Sequence, residues 1–262
     1  MPDESATFED HVATRSLQRL HQFYRVARKG AWNIDDLGWN RLSPAPNAEK
    51  ERWNAVWASV VQQQLQADMF AIEASTDLHR HVEEREAILY YSTMVDDEAR
   101  HVEGWTRLRD MLLPMDEFDP YLGEMGEMLL AADTLEERVI AFQVVFEGMA
   151  IHAFKDIAAA TEKTILGEMS SRLIRDDSIH HNSGVVYAHY LMRNASDGLK
   201  SHLNASLKRY VPLYFEHLTW RPHARRWLTR YMADHDARTL RRNQRLITQS
   251  LVDLGLGSPF ED

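Results

Sequence analysis

The chain has 262 residues, 44% of them hydrophobic and 27% charged, with only 11 Gly and 8 Pro, a balance that suits a mostly helical globular protein. Its net charge of −10 argues against general nucleic-acid binding, which needs a basic surface. With no cysteine, disulfides, Fe–S clusters and thiolate zinc sites are excluded, and any metal must be held by oxygen and nitrogen.

The first residues, Met1-Pro2-Asp3-Glu4, lack an apolar signal core, and no run of 18 apolar residues occurs. The expectation is a soluble, cytoplasmic chain with no membrane span. A first helix is predicted over 5–29, closed by Gly30. Residues 31–47 (AWNIDDLGWNRLSPAPN) carry Gly, Pro, Asn and two Trp and read as a packed loop. A long helix follows over 48–81, with the stripe Trp53, Trp57, Val60/Val61, Gln64, Leu65, Asp68 and Ile72 at helical period. A second long helix over 85–113 stops at Pro114, and its stripe runs through Tyr91, Met94, Glu98, His101, Val102, Trp105 and Leu108. After a shorter helix over 118–131, Asp133 with Glu136 reads as a capping box. The third long helix then reaches 160, with Gln143, Phe146, Glu147, Ile151 and Phe154 on one side. A fourth covers 163–195 and presents Leu166, Met169, Leu173, Asp177, His180, Gly184 and Ala188. Two or three more helices are expected over 199–254, broken around Pro212 and Pro222. The expected organisation is a single helical domain over 1–262, with its core bundle at 48–195, a leading helix and loop at 5–47, and trailing helices at 199–254.

Two short patterns carry the chemistry. Asp97-Glu98-Ala99-Arg100-His101 and Asp176-Asp177-Ser178-Ile179-His180 each place a carboxylate three residues before a histidine, behind another aspartate. Asp68 lies 30 residues before Glu98, and Glu147 lies 30 before Asp177. On a helix, positions i and i+3 share a face, so each Glu/Asp-x-x-His pair can reach one metal ion. If each 30-residue separation folds into a hairpin with arms of equal length, Asp68 comes level with Glu98, and Glu147 with Asp177. Carboxylate, carboxylate-x-x-His, carboxylate, carboxylate-x-x-His is the ligand order of a dinuclear site in a four-helix bundle. The expected metal ligands are therefore Asp68, Glu98, His101, Glu147, Asp177 and His180, with Glu98, Glu147 and Asp177 as the catalytic carboxylates. Four carboxylates offset two divalent ions, and an oxygen-rich site with two imidazoles suits iron or manganese better than structural zinc. Metal-bound histidine normally gives its other N–H to a carboxylate. Asp97 is expected to serve His180, and Asp176 to serve His101.

The pieces DDEARH (96–101), FEGMA (146–150) and RDDSIHHNSG (175–184) resemble the ferritin-like di-iron carboxylate superfamily. The likeness is greatest to its oxygen-activating branch: bacterial multicomponent monooxygenase hydroxylases, ribonucleotide reductase small subunits and their ligand-binding oxidase relatives. Gly30-Ala31-Trp32-Asn33, Asp35-Asp36 and Trp53 look like the segment before the bundle in the last group. The resemblance covers roughly 30–195 and implies an all-α, ferritin-like four-helix bundle with additional N- and C-terminal helices. It also implies two iron ions (Fe/Fe, with Mn/Fe as the alternative), O2 as co-substrate and a small organic or acyl-type substrate. An external electron donor, ferredoxin or flavin reductase, is implied too, and a homodimer is compatible with it. The chemistry implied is hydroxylation, desaturation or N-oxidation. The alternatives are a ferroxidase or iron-storage protein, and a radical-generating reductase subunit. The chain departs from the family at Asp68 and Asp177, where most members carry Glu. It also has Trp105 where a radical-forming subunit carries Tyr, and Phe142 where the ligand-binding oxidases carry the cross-linked Tyr.

Blander readings compete at single positions. Glu73 rivals Asp68, although its neighbours suggest a solvated face, and His181 rivals His180. Gln64, Met94, Trp105, Gln143, Gly148 and Gly184 are candidate substrate-pocket residues, while close helix packing explains the two glycines equally well. From 221 to 245 eight Arg stand against two Asp, which reads as a solvated face or as a dock for an acidic partner.

Overall fold

The computed structural model describes residues 8–40, 48–112, 118–220 and 230–261, with side chains starting at residues 12, 56 and 236 in the helices that open the first, second and last of these segments. Residues 5–7, the Trp53 side chain, Pro114 and Pro222 lie outside what is described. Helix α1 (Phe8–Gly30) lies against α3 (Arg85–Asp110) and α7 (Ile165–Met192). It leads into a 3-10 turn, Ile34–Asp36, capped by the Asn33 side chain on the Asp35 N–H at 2.9 Å. Two hairpins follow. Helices α2 (Ala48–His81) and α3 (Arg85–Asp110) form the first. The second pairs α7 (Ile165–Met192) with a helix made of α5 (Leu135–Val139), a π-helical segment (Ile140–Phe146) and α6 (Glu147–Ala160). Helix α4 (Pro120–Leu130) packs on α2 and on α8 (Asp197–Thr219), and α9 (Arg230–Asp253) lies on α6.

Capping chemistry sets several boundaries. The Asp119 carboxylate caps α4 ahead of Pro120, and the Thr164 hydroxyl accepts from the Gly167 N–H at 3.2 Å to start α7. The third long helix begins one residue later than the capping box anticipates. Thr134, not Asp133, is the N-cap and accepts from the Glu137 N–H at 3.2 Å, while Glu137 turns away to His202 at 2.8 Å. The expected break at Pro212 does not occur, because α8 runs straight through it. Pro212 and Lys208, whose carbonyl loses its helical partner, are both exposed, so water can satisfy that group. On the opposite face Leu203, Leu207, Tyr210, Val211 and Tyr214 are buried and hold the helix together.

Buried side chains fall into two apolar layers. One holds Tyr90, Tyr91, Met94, Phe142, Phe146, Ile179 and Tyr187; the other holds Val61, Leu65, Trp105, Phe154, Met169 and Leu173. On α3 the polar run Asp97, Glu98 and His101 falls between the layers, and on α7 so does Asp176, Asp177 and His180. A polar stratum therefore crosses the bundle at mid-height. Among the described residues, no helix is long and apolar enough to cross a membrane.

Candidate metal centre

Two groups of ligand-type side chains converge in that stratum: Asp68, Glu98 and His101, and Glu98, Glu147, Asp177 and His180. Within each group one ligand atom per residue lies within 4.8 Å of all the others, and Glu98 belongs to both. The six residues come from all four bundle helices, and none is more than 6% exposed. His101 Nδ1 lies 3.2 Å from Glu98 Oε2, 3.9 Å from Asp68 and 4.0 Å from Asp177. His180 Nδ1 lies 3.0 Å from Glu98 Oε1, 3.7 Å from Glu147 and 3.8 Å from Asp177. Glu73, the rival to Asp68, is exposed, and His181 Nδ1 meets the Gln143 carbonyl at 3.1 Å instead.

The outer nitrogens are crossed between the hairpins. His101 Nε2 is 3.3 Å from Asp176 Oδ2, and His180 Nε2 is 3.4 Å from Asp97 Oδ2. With an N–H on each Nε2, both Nδ1 lone pairs face the cluster. Three further donors brace the carboxylates. Trp32 Nε1 donates to Asp176 Oδ2 at 2.7 Å, Trp105 Nε1 donates to Asp68 Oδ2 at 2.6 Å, and the Arg100 guanidinium donates to Asp97. Arg100 also lies 5.2 Å over the Trp32 ring, which stacks on His101 at 6.5 Å. Sequence reasoning assigned no such role to Trp32 or Arg100. Trp32 meets Asp176 across 144 residues, a pairing no local pattern encodes, whereas Arg100 at three residues from Asp97 was within reach of the helical spacing rule.

The candidate pocket residues turn out to be tightly held. Gln143 sits in the π-helical segment, one turn before Glu147. It accepts from the Tyr91 hydroxyl at 2.5 Å and donates to the His180 carbonyl at 3.0 Å and toward Met94 Sδ at 3.6 Å. A Cβ on Gly184 would lie 2.3 Å from Gln143 Cβ, and one on Gly148 would lie 3.0 Å from the His181 ring. Both glycines thus permit close packing, the second of the two explanations the sequence left open. Gln64 is buried on α2, and Trp105 is spent on Asp68. A π-helical stretch inside an α-helix is uncommon and costs backbone hydrogen-bond geometry. This one ends at Phe146, so it sets the rotation at which Glu147 enters the cluster.

The electrostatics of the metal-free cluster are those of carboxylates packed too closely. Burial pushes Asp68 and Asp177 well above the usual carboxylate range, with Glu98 and Glu147 adding to it. Burial and then Glu98 raise Glu147 to about 7. Glu98 alone is held down, to about 2: burial opposes its charge, but His101 and His180 on either side outweigh it. Both histidines are raised well above their ordinary value even though burial opposes it. Glu98 leads for His101, and Tyr90 followed by Glu98 for His180.

This donor set fits a pair of divalent ions. Four carboxylates and two neutral imidazoles carry four negative charges, and the mix of oxygen with imidazole suits Fe or Mn. Glu98 Oε1 and His180 Nδ1 are buried only 3.0 Å apart, and neither has a hydrogen-bond partner among the described residues. Buried polar atoms without partners cost roughly 1–3 kcal/mol each, and a metal ion held by these residues would satisfy both.

No protein-family model and no curated protein matches the chain. Solved structures do. An R2-like ligand-binding oxidase, a point mutant with an aerobically reconstituted Fe/Fe cofactor, is 19% identical, with a TM-score of 0.66 over 88% of this chain and 92% of that one. A second mutant form of such an oxidase, with an anaerobically reconstituted Mn/Fe cofactor, is 18% identical with a TM-score of 0.63, over 88% and 93%. A Bacillus halodurans structure described as a class I ribonucleotide reductase is 12% identical, with a TM-score of 0.67 over 93% and 94%. The chain therefore shares the all-helical, ferritin-like bundle fold of these structures.

Proposed function

We propose that this chain is a non-haem oxidoreductase that holds two iron ions, or one manganese and one iron, and uses O2 to oxidise a small or apolar organic substrate. The observation that carries the proposal is Glu98, a buried carboxylate that lies between two histidines and completes both ligand groups. Asp68 and His101 would hold one ion, Glu147, Asp177 and His180 the other, and Glu98 both. The fold shared with metal-loaded oxidases supports this assignment.

When bound, the metal pair supplies the electrons that activate O2, chemistry no side chain of the protein can perform. The chain's own residues do the rest. Asp97 and Asp176 hold the Nε2 protons of His180 and His101, so each imidazole turns its Nδ1 lone pair inward. Trp105 and Trp32 fix the rotamers of Asp68 and Asp176 through single hydrogen bonds. Gln143 ties the His180 backbone to Tyr91, so the π-helical segment and α7 move as one. Phe70, Phe142 and Phe146 stack edge and face beside the cluster and help keep water out. Glu147, protonated in part near neutral pH, releases that proton as the site loads. Hydroxylation, desaturation and N-oxidation are the reactions such a site serves, with electrons from a ferredoxin or flavin reductase.

Metal analysis of protein from iron-rich cells tests the proposal, with Glu98→Ala and Glu147→Ala as companions. Two ions per wild-type chain, falling to one or none in Glu98→Ala, are expected. A full complement in both variants would overturn the ligand assignment.

A further inference from the structure

On the outer side of α6, away from the ligand cluster, α9 presents Arg238, Arg241, Arg242 and Arg245, spaced at i, i+3, i+4 and i+7 so that they form one stripe. These four, with Thr239 and Asp156 of α6, line an open cleft of about 340 Å³. Among the described residues Asp156 is the one carboxylate in it, and Arg242 engages it at 2.9 and 3.4 Å. Arg238, Arg241 and Arg245 are exposed and have no ion pair or hydrogen bond among the described residues. Lys155 adds another exposed cation next to Asp156. Like charges one turn apart on a helix repel one another, so the stripe weakens α9 unless an anion meets it. It also stands out against a chain of net charge −10.

We infer that this stripe is the docking surface for an acidic one-electron carrier protein, a partner for the function proposed above, on which this inference rests. Three observations select that occupant. First, the chemistry needs one. Reducing O2 to two waters, or to one water and an inserted oxygen atom, takes four electrons, and oxidising a C–H or N–H substrate by a two-electron step supplies two. The other two must arrive in two one-electron deliveries, each oxidising the carrier by one electron, with the accompanying protons drawn from solvent. A chain without cysteine holds no Fe–S cluster of its own to store them. Second, the field favours one orientation: an acidic partner is repelled by most of this acidic chain and attracted at α9, which steers encounter. Third, the position is right. Asp156 lies nine residues beyond Glu147 on α6, a rise of about 14 Å. His152, which burial and then the nearby Arg242 lower to about 4, stands between them on the helix. A shallow, charged, weakly apolar surface is what transient electron-transfer encounters use.

The test uses the full, metal-loaded chain and a plant-type [2Fe–2S] ferredoxin as the probe. Binding is measured at low and high ionic strength for wild type, for Arg241→Glu/Arg245→Glu, and for Arg85→Glu, an exposed arginine at the start of α3. The double reversal removes exposed side chains that have no partner among the described residues, so folding should be unaffected, and circular dichroism checks this. Binding that falls at least about tenfold in the double variant, and in wild type at high salt, while Arg85→Glu stays unchanged, supports the inference. Equal binding by wild type and double variant overturns it. So does a stripe that prefers anionic vesicles or duplex DNA to the ferredoxin. Reduction by dithionite, which needs no docking, separates the two claims. If ferredoxin binds at the stripe but neither reductant reduces a metal pair, the docking surface stands and the functional proposal falls.

Discussion

Replacing Asp176 with Asn should weaken one metal ion of the pair and spare the other. Asp176 Oδ2 takes both the Trp32 indole N–H at 2.7 Å and the His101 Nε2 proton at 3.3 Å. Burial opposes its charge, but His101 and Trp32 hold its carboxyl below the usual range. The Asn side chain keeps an acceptor oxygen and the shape of the site but removes the charge that makes His101 a more basic ligand. Loss of such an outer partner typically costs 10–100-fold in metal affinity, or about 1.4–2.7 kcal/mol. Because Asp176 serves His101 alone, the loss should fall on the ion held with Asp68, while the ion at Glu147, Asp177 and His180 keeps its affinity. Asp97→Asn should show the reverse. Titration with Co(II), followed by visible absorption against a competing chelator, resolves the two steps. Equal weakening of both steps in each variant, or none in either, would refute the crossed arrangement.

The metal-free protein should lose stability as pH rises from about 5 to 8. Glu147 is raised from 4.5 to about 7, so its contribution is complete below 4.5 and vanishes above 7, a change of about 3 kcal/mol. Thermal melts of the apo protein should show this, and Glu147→Gln should flatten the slope. Across the same range metal affinity should rise with pH and proton release on binding should fall, which calorimetry in buffers of different ionisation enthalpy reads directly. Trp105→Phe leaves Asp68 Oδ2 without its donor and should cost roughly 1.5–3 kcal/mol in urea unfolding of the metal-loaded chain. Gly184→Ala forces a Cβ to within 2.3 Å of Gln143 and should destabilise by roughly 1–3 kcal/mol in the same assay.

The convergence of these carboxylates and histidines is legible because helical geometry turns spacing into position. Two 30-residue separations, each folded near its midpoint, are enough to bring Asp68 beside Glu98 and Glu147 beside Asp177. The crossed Asp–His pairs followed from the same register. What escaped depends on contacts remote in sequence or on rival local signals of equal strength. Asp133 and Thr134 are both good caps, and only tertiary packing decides between them. Pro212 reads as a breaker until its solvent-facing position is known. The π-helical turn before Glu147 has no compositional mark, because Ile140–Phe146 is simply a buried apolar run with one Gln. Trp32 looked like loop packing, and only the fold places its indole on Asp176.

Anomalous diffraction at the iron and manganese edges, from crystals of the aerobically loaded protein, probes the metal assignment most directly. Two peaks should appear in the stratum between the apolar layers, both in contact with Glu98, one beside Asp68 and His101 and the other beside Glu147, Asp177 and His180. A single peak, peaks elsewhere, or a Glu98 side chain in contact with neither ion would contradict it.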